Sequence, residues 1–335
     1  MQVLDVAVWA GFLAFVLGLL ALDLGVFHRE SRAIRTGEAL AWAAFYVALA
    51  LAFNVLVFFL YERNWLGVGV SVGQPLDGHT AALQFLTGYL LEQSLSLDNV
   101  FVIALIFSYF RVPLAYQHRV LFWGILGALV MRAGFIFLGA ALIQQFHWVM
   151  YIFGAILVFT ALKLFLLKEE GLEPEKNPVY RLMKRFIPSV PDYDGSRFTT
   201  IRQGKRYATP LLLVLVLIEW TDLVFAVDSI PAIFAVTEDP FLVYTSNIFA
   251  ILGLRSLFFV LAGVIGKFHL LKPALAGVLA FVGTKMLIVD FYKIPIGASL
   301  GVIAILIAIG VAGSLLFPKA DQPVAGALND ESTRS

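Results

Sequence analysis

The sequence predicts an all-α, polytopic membrane protein with about nine transmembrane helices, six of which form two inverted three-helix repeats. Hydrophobic residues occupy 60% of the 335 positions and charged residues 14%, which is more apolar side chain than one soluble core requires. Apolar stretches of about 20 residues, the length that a helix needs to cross a bilayer, recur along the chain. A pattern of charged residues occurs twice, and each copy extends over three of these stretches.

Nine stretches are long and apolar enough to be spans. They cover residues 4–27, 39–60, 80–109, 118–142, 147–167, 208–236, 241–265, 270–290 and 295–317. The first contains Asp23 and lacks a basic start and a cleavage site, which predicts a retained helix rather than a signal peptide. The third and sixth contain several polar residues and are candidates for interrupted helices. Residues 1–317 are expected to form one transport domain, and the polar residues 318–335 a disordered cytoplasmic tail.

Basic residues predict the orientation of the chain, because segments rich in Lys and Arg stay in the cytoplasm. Four loops and the tail hold eighteen Lys and Arg on one side of the membrane. These loops are 28–38, 111–119, 168–207 and 266–272. The opposite loops hold two basic residues, Arg63 and Lys293. The amino terminus is therefore expected outside and the carboxyl terminus in the cytoplasm.

The cytoplasmic loop 168–207 is expected to have structure of its own. Asn177 followed by Pro178 is a helix-start signal. The apolar and basic residues after it fall on different faces, as in an interfacial amphipathic helix. The following stretch alternates weakly around Gln203 and Gly204, which indicates a short hairpin.

The internal repeat places residues of the same kind at the same spacing. Each copy has two acids six residues apart, then an arginine in the next span and a lysine in the span after it. The first copy, about residues 80–167, contains Glu92, Asp98, Arg132 and Lys163, and the second, about 208–290, contains Asp222, Asp228, Arg255 and Lys285. Because three spans is an odd number, the copies must cross the membrane in opposite directions. Inverted repeats of this kind typically place a transport site at the midplane between them.

Ten charged residues lie inside the expected spans, leaving aside those within three residues of a span end. The acids are Asp23, Glu92, Asp98, Glu219, Asp222 and Asp228, and the bases are Arg132, Lys163, Arg255 and Lys285. Each costs roughly 3 kcal/mol on insertion scales, so most must be paired, protonated, hydrated or bound to metal. One interpretation is that the bases neutralise four acids as buried ion pairs. The two negative charges left over would suit one divalent cation, although a buried carboxyl can also be protonated.

Helix geometry restricts how the acids can meet. Six residues separate the two acids of each copy by about 120° around the axis and about 9 Å along it, so one straight helix cannot bind an ion with both. Either opposing acids of the two copies meet, or the helices are unwound at the motif. Pro231 favours unwinding of the sixth span, because it frees the carbonyl of Val227. The third span lacks a proline there and offers Asn99 and neighbouring serines instead.

Oxygen atoms are the ligands that the expected midplane offers, because all five histidines fall in loops or at span ends. Such ligands suit Mg, Ca or Mn rather than Zn or Cu. The chain also has no cysteine, which excludes disulfides and thiolate metal sites. Glu92, Asp98, Asp222 and Asp228 are predicted to form one metal site, with Arg132, Lys163, Arg255 and Lys285 as charge-balancing or gating residues. Asp23 is a candidate pathway residue, and Asn54 and Asn247 are expected to form interhelical hydrogen bonds.

Three motifs resemble the TerC/Alx family of bacterial integral membrane proteins. They are "EQSLSLDNVFV" from Glu92, "EWTDLVFAVDSIPAIFAVT" from Glu219 and "SNIFAILGLRSLFF" from Ser246. The likeness covers roughly residues 1–317, and "KMLIVDFYKIP" from Lys285 is closer to the Alx branch. The resemblance implies metal-ion efflux across the inner membrane, with manganese the expected substrate. It carries the acidic motifs of the family onto Glu92, Asp98, Asn99, Glu219, Asp222 and Asp228.

Two other classes of protein share some of these sequence features. An intramembrane aspartyl protease also uses two membrane aspartates, but no glycine pair precedes an intramembrane aspartate here, and "PAL" at Pro273 is a weak match. A membrane scaffold that assists metal loading of exported proteins would bind metal without flux. The expectation is a transporter rather than an enzyme, with no permanently bound cofactor, no nucleic acid partner and efflux coupled to protons.

Overall fold

The computed structural model describes residues 3–22, 36–68, 74–166, 177–261 and 270–317. Asp23, the loop segment 168–176 and the tail 318–335 lie outside the described residues. The described helices are α1 (Val3–Leu22), α2 (Thr36–Glu62), α3 (Gly78–Tyr109), α4 (Leu114–Gln145), α5 (Val149–Leu166), α6 (Pro178–Phe186), α7 (Pro210–Phe234), α8 (Pro240–Leu261), α9 (Leu271–Leu287) and α10 (Ile296–Leu316). One hairpin, β1 (Thr199–Arg202) and β2 (Lys205–Ala208), lies between α6 and α7.

Seven helices in the described ranges are long and apolar enough to cross a membrane, which confirms the all-α, polytopic class. They are α2, α3, α4, α5, α7, α8 and α10. The other two expected spans do not meet this criterion: the apolar stretch found in α1 covers only Val6–Ala21, and α9 has 17 residues. The total of nine spans therefore stays a prediction.

Helices α3 and α7 carry the acidic motifs, and both are continuous. At the start of α3, the Asp77 side chain accepts a hydrogen bond from the Thr80 backbone N at 2.8 Å, which satisfies one of the amide groups exposed at a helix start. Helix α7 contains Pro231 near its carboxyl end. The expectation that Pro231 unwinds the motif is wrong. The proline removes one hydrogen bond close to the helix end, and the following Ile233 and Phe234 are packed in the core, which holds the last turn in place.

Helices α3–α5 and α7–α9 form two triplets along the chain, and they pack mainly against helices of the other triplet rather than within their own. Helix α3 packs against α8, α4 against α7 and α5 against α9, while α3 also contacts α7 and α4 contacts α8. This pattern of neighbours is unchanged when the two triplets are exchanged. Helix α2 packs on α3 and α8, and α10 packs on α9.

Contacts at the helix ends give the relative directions. The Gln74 backbone N donates to Asp239 Oδ2 at 2.8 Å, and these residues precede α3 and α8. Helices α3 and α8 therefore start at the same end of the bundle. At the start of α5, Tyr151 donates its hydroxyl to Asp290 Oδ2 at 2.5 Å, and Asp290 follows the end of α9. Helices α5 and α9 are therefore antiparallel.

Two glycines allow α5 and α9 to cross closely. A Cβ atom on Gly154 would lie 2.9 Å from the backbone oxygen of Gly283, and a Cβ on Gly283 would lie 2.8 Å from the oxygen of Gly154. Any side chain at either position would push the helices apart. Close backbone approach through small residues is typical of helix packing in membranes.

The segment before α7 contains the helix and hairpin that the sequence indicates. Helix α6 begins where the Asn177 side chain accepts a hydrogen bond from the Val179 N at 2.9 Å. Its Tyr180 and Met183 are buried against the end of the bundle. The strands β1 and β2 are antiparallel, and the turn between them uses positive φ angles of 51° at Gln203 and 75° at Gly204, as two-residue hairpin turns do.

Candidate functional site

Four helices, α3, α4, α7 and α8, enclose a cluster of polar side chains in the interior of the bundle. The cluster consists of Glu92, Asn99, Arg132, Asp222 and Asn247, and each of these residues is at most 5% exposed. Each comes from the interior of a long apolar helix rather than from a loop. Buried polar groups of this kind require partners, because unpaired charges in an apolar interior cost several kcal/mol.

Arg132 on α4 joins the two carboxylates of the cluster. Its Nε and Nη2 atoms donate to Asp222 Oδ2 at 3.1 Å and Oδ1 at 2.8 Å, which is a bidentate ion pair. Its Nη1 atom donates to Glu92 Oε1 and, at 3.3 Å, to Asn247 Oδ1. Charge-assisted, bidentate pairs are the strongest hydrogen bonds that side chains form. One guanidinium therefore holds one acid from each copy of the sequence repeat.

Two amides complete the cluster from α3 and α8. Asn99 donates through Nδ2 to Asp222 Oδ1 at 2.8 Å. Asn247 donates through Nδ2 to Glu92 Oε2 at 3.0 Å. Each carboxylate thus has one amide and one guanidinium partner. With both acids ionised, these five residues together carry two negative charges and one positive charge.

A small cavity of about 20 Å³ lies beside this cluster. Its wall includes the polar residues Asn99, Asp222 and Arg255 and otherwise apolar side chains. Within the described part of the chain, Asn99 Oδ1 is buried without a hydrogen-bond partner. The volume suffices for about one water molecule beside the Asp222 carboxylate.

Glu219 lies one helical turn before Asp222 on α7 and packs on the backbone of α4. A Cβ atom on Gly127 would lie 2.1 Å from Glu219 Oε1, so only glycine leaves room for this carboxylate. Among the described residues, Glu219 Oε2 is buried without a hydrogen-bond partner. Glu219 is therefore a second acid on the same face of α7, placed by the missing side chain of Gly127.

Asp228 points toward a different helix. Its Oδ1 atom accepts a hydrogen bond from Thr160 Oγ1 on α5 at 2.8 Å, and Lys163 on the same helix interacts with it electrostatically. Asp228 therefore belongs to the contact between α5 and α7, and the charge-balancing role expected for Lys163 stays a prediction.

The remaining predicted residues are distributed around the bundle. Asp98 is partly buried on α3 beside Asn99, Arg255 is buried on α8 at the cavity, and Lys285 is partly buried near the end of α9. Among the residues that the structure describes, no three Asp, Glu or His side chains lie close enough together to hold one metal ion. The convergence of four carboxylates on one point is therefore not seen, and the metal-binding role of these residues stays a prediction. What the structure brings together is Glu92 and Asp222, one acid from each copy.

The sequence analysis did not place two residues, Asn247 and Gly127, at this site. Asn247 forms interhelical hydrogen bonds as expected, but its partners are the central residues Glu92 and Arg132. Gly127 carries no chemistry, and its role in placing Glu219 depends on how α4 and α7 pack. Asn247 could have been recognised from its spacing in the sequence. It lies eight residues before Arg255, and residues separated by about two helical turns share a face.

Comparison with known proteins identifies the family of this chain. Residues 77–322 match the TerC family of integral membrane proteins. The chain belongs to the TerC family. It is 53% identical over 308 residues to an uncharacterized membrane protein of Myxococcus xanthus, covering 92% of each chain.

Two relatives have names that propose a membrane-bound redox modulator, Alx. The one from Escherichia coli K12 is 49% identical over 296 residues, which are 88% of this chain and 90% of the relative. The one from Photorhabdus laumondii is 47% identical over 302 residues, 90% and 92% of the two chains. No solved structure matches the chain.

Proposed function

We propose that this TerC-family protein exports a divalent metal cation, with Mn²⁺ the expected substrate, across the bacterial inner membrane. The observation that carries the proposal is the buried cluster in which Arg132 bridges Glu92 and Asp222. Carboxylates and amide oxygens inside a membrane bundle are expensive, and their usual role is in an ion pathway. The cluster has the donor atoms that Mn²⁺, Ca²⁺ and Mg²⁺ prefer.

A transported cation would take over the role of the Arg132 guanidinium. Both carry positive charge, and Arg132 occupies the two carboxylates in the described structure. Asn99 and Asn247 have carbonyl oxygens beside these carboxylates and would add neutral ligands. Glu219 lies one turn away on α7 and would bind the cation on its way to Asp222.

We further propose that the two triplets are inverted repeats and that the transport site lies between them. Three observations support this. Helices α5 and α9, the third members of the triplets, are antiparallel. The packing of neighbours is reciprocal between the triplets. The first helices also approach each other antiparallel, because Asn99 contacts Asp222 while Gly88 packs near Ile233. The excess of basic residues in the loops supports an external amino terminus and a cytoplasmic carboxyl terminus.

Coupling to protons is part of the proposal. A carboxylate that is released by a departing cation in a low-dielectric site takes up either a proton or an internal cation. Arg132 supplies the internal cation for Glu92 and Asp222, which leaves Glu219 as the acid expected to exchange protons. The relatives' names propose redox modulation, but this chain has no cysteine, so its own residues offer no thiol chemistry for such a role.

The test is uptake of Mn²⁺ into proteoliposomes that contain the purified protein, with Ca²⁺ and Mg²⁺ compared under defined pH gradients. We expect Glu92→Gln and Asp222→Asn each to reduce Mn²⁺ flux at least tenfold while the protein still inserts. Asp192→Asn is the matched control, because it removes an exposed carboxylate outside the bundle. Mn²⁺ binding without flux would favour the scaffold instead, and full activity of both site variants would contradict the assignment of the site.

A further inference from the structure

Helix α6 lies at one end of the helix bundle. Its Tyr180 and Met183 are buried in an apolar cluster. That cluster also contains Val112, which follows the end of α3, and Leu211, near the start of α7. Helices α3 and α7 are long and apolar enough to cross a bilayer, so their ends reach its surface. Helix α6 is therefore held at the level where the hydrocarbon of a bilayer meets its polar headgroups.

The apolar face of α6 is wider than the part that packs on the bundle. Leu182 is 57% exposed and Phe186 is 70% exposed. At about 100° per residue, these two side chains lie on one flank of the helix, next to the face that carries Tyr180 and Met183. A leucine and a phenylalanine therefore remain exposed at the level of the bilayer surface.

Basic residues border this apolar flank. Arg185 is exposed, and the same helix geometry places it next to Leu182, on the side of α6 opposite to Tyr180 and Met183. Residues 177–208 contain seven Lys and Arg but only two Asp and no Glu. The segment therefore carries a net positive charge beside its exposed apolar side chains.

The hairpin after α6 has the same combination of side chains. Two backbone hydrogen bonds join it to the end of α6, from Ala208 N to Pro188 O at 2.8 Å and from Val190 N to Ala208 O at 2.9 Å. Ile201 is 67% exposed and is paired in register with Arg206. Directly opposite residues of antiparallel strands point to the same side. The hairpin therefore also presents an exposed apolar side chain together with a basic one.

We propose that residues 177–208 lie on the bilayer surface and bind anionic phospholipid headgroups. Leu182 and Phe186 insert at the boundary between acyl chains and headgroups. Arg185 and Arg206 bind the lipid phosphates. Amphipathic helices with basic and large apolar residues bind membrane interfaces in this way. The inference concerns the contact with the membrane and holds whether or not the protein transports a cation.

Position and charge favour lipid over a protein partner. The packing of α6 on the ends of α3 and α7 places its exposed flank in the headgroup layer, where the surrounding bilayer is always present. Anionic headgroups attract basic segments at a membrane surface. The planar guanidinium of arginine also matches the geometry of a phosphate group. Anionic phospholipid therefore satisfies both the apolar flank and the arginines beside it.

The first experiment measures membrane contact and uses the absence of native cysteine. Nitroxide labels are attached to the full chain at Leu182→Cys, Phe186→Cys and Lys184→Cys, each in vesicles of phosphatidylcholine and phosphatidylglycerol. The accessibility of each label to oxygen, which concentrates in lipid, is compared with its accessibility to a water-soluble nickel chelate. We expect the oxygen-to-nickel ratio at positions 182 and 186 to be at least threefold higher than at position 184, which lies on the opposite side of α6. Equal ratios at the three positions overturn the proposal. Labels shielded from both reagents, by a partner protein or a second copy of the chain, also overturn it.

The second experiment measures lipid selectivity. Native mass spectrometry compares the binding of phosphatidylglycerol and phosphatidylcholine to the purified protein in detergent. Arg185→Gln and Arg206→Gln are each expected to weaken phosphatidylglycerol binding at least threefold relative to phosphatidylcholine. Arg197→Gln is the matched control, because the Arg197 guanidinium already has the Asp194 carboxylate 3.6 Å away. Melting temperatures in lipid-free detergent should be the same for all three variants and the parent. An unchanged lipid preference in Arg185→Gln and Arg206→Gln, or an equal loss in Arg197→Gln, overturns the proposal.

Discussion

Arg132 on α4 and Asp222 on α7 form a bidentate ion pair inside the bundle, with Nη2 to Oδ1 at 2.8 Å and Nε to Oδ2 at 3.1 Å. Arg132 is 2% exposed and Asp222 is 5% exposed. The pair connects helices from different triplets, so its geometry depends on how the two triplets pack. This makes the ion pair both a structural contact and the most informative position for testing the site.

Replacing Arg132 should destabilise the protein more than replacing both members of the pair. Arg132→Gln leaves two buried carboxylates without a counter-charge, at an expected cost of about 3–5 kcal/mol. Adding Asp222→Asn removes one of those charges and should restore part of the loss. The measurement is the apparent melting temperature in detergent by intrinsic fluorescence. Arg181→Gln on the exposed face of α6 should change it little. A double variant that is no more stable than Arg132→Gln would contradict the electrostatic explanation.

Substitution by alanine should have opposite effects on stability at two glycines of α4. Gly127→Ala places a Cβ atom 2.1 Å from Glu219 Oε1, so Glu219 must move and the protein should lose stability. Gly134→Ala meets no atom within 4 Å and should be neutral or stabilising by up to about 1 kcal/mol, because alanine favours helix over glycine. Melting temperatures check the comparison. Combining Gly127→Ala with Glu219→Ala should recover the loss, and no recovery would show that the clash lies elsewhere.

The crossing of α5 and α9 should not tolerate a larger residue at its centre. Gly283→Val places side-chain atoms against the Gly154 backbone oxygen, 2.8 Å from a Cβ at that position, and should separate the helices. We expect a loss of about 1–3 kcal/mol, as for overpacking in general, measured as a lower melting temperature. Gly301→Val on α10 meets nothing within 4 Å and serves as the control. Equal effects of the two variants would argue against a close crossing.

The contact between Asp290 and the start of α5 should depend on pH. Hydrogen bonds from Tyr151 and His147 lower the pKa of the Asp290 carboxyl below its usual value. A lowered pKa means that the ionised form stabilises the folded protein at neutral pH, and that this contribution disappears as the pH falls through the folded pKa. Asp290→Asn should therefore be less stable than the parent at pH 7, and the difference should close on acidification below the usual aspartate range. Asp192→Asn serves as the control for general acid sensitivity. If the stability difference between Asp290→Asn and the parent widens on acidification, ionised Asp290 does not stabilise the fold.

The sequence by itself determined the fold class, the positions of most long helices and the set of acids that lie inside them. Spans follow from composition because a bilayer requires about 20 apolar residues per helix, and charges inside them stand out because each is costly there. The helix start at Asn177 and the turn at Gln203 and Gly204 were also predictable, since both depend on local backbone chemistry. The family resemblance was readable from the motifs alone.

Only the tertiary structure decided which charged residues meet. Sequence spacing could not tell that Asp228 bonds to Thr160 while Asp222 pairs with Arg132, because this depends on which helix each face of α7 packs against. The roles of Gly127 and Asn247 likewise arise from contacts between helices far apart in the chain. Residues six apart on one helix point in different directions, and the packing of the neighbouring helices determines which direction leads to a partner.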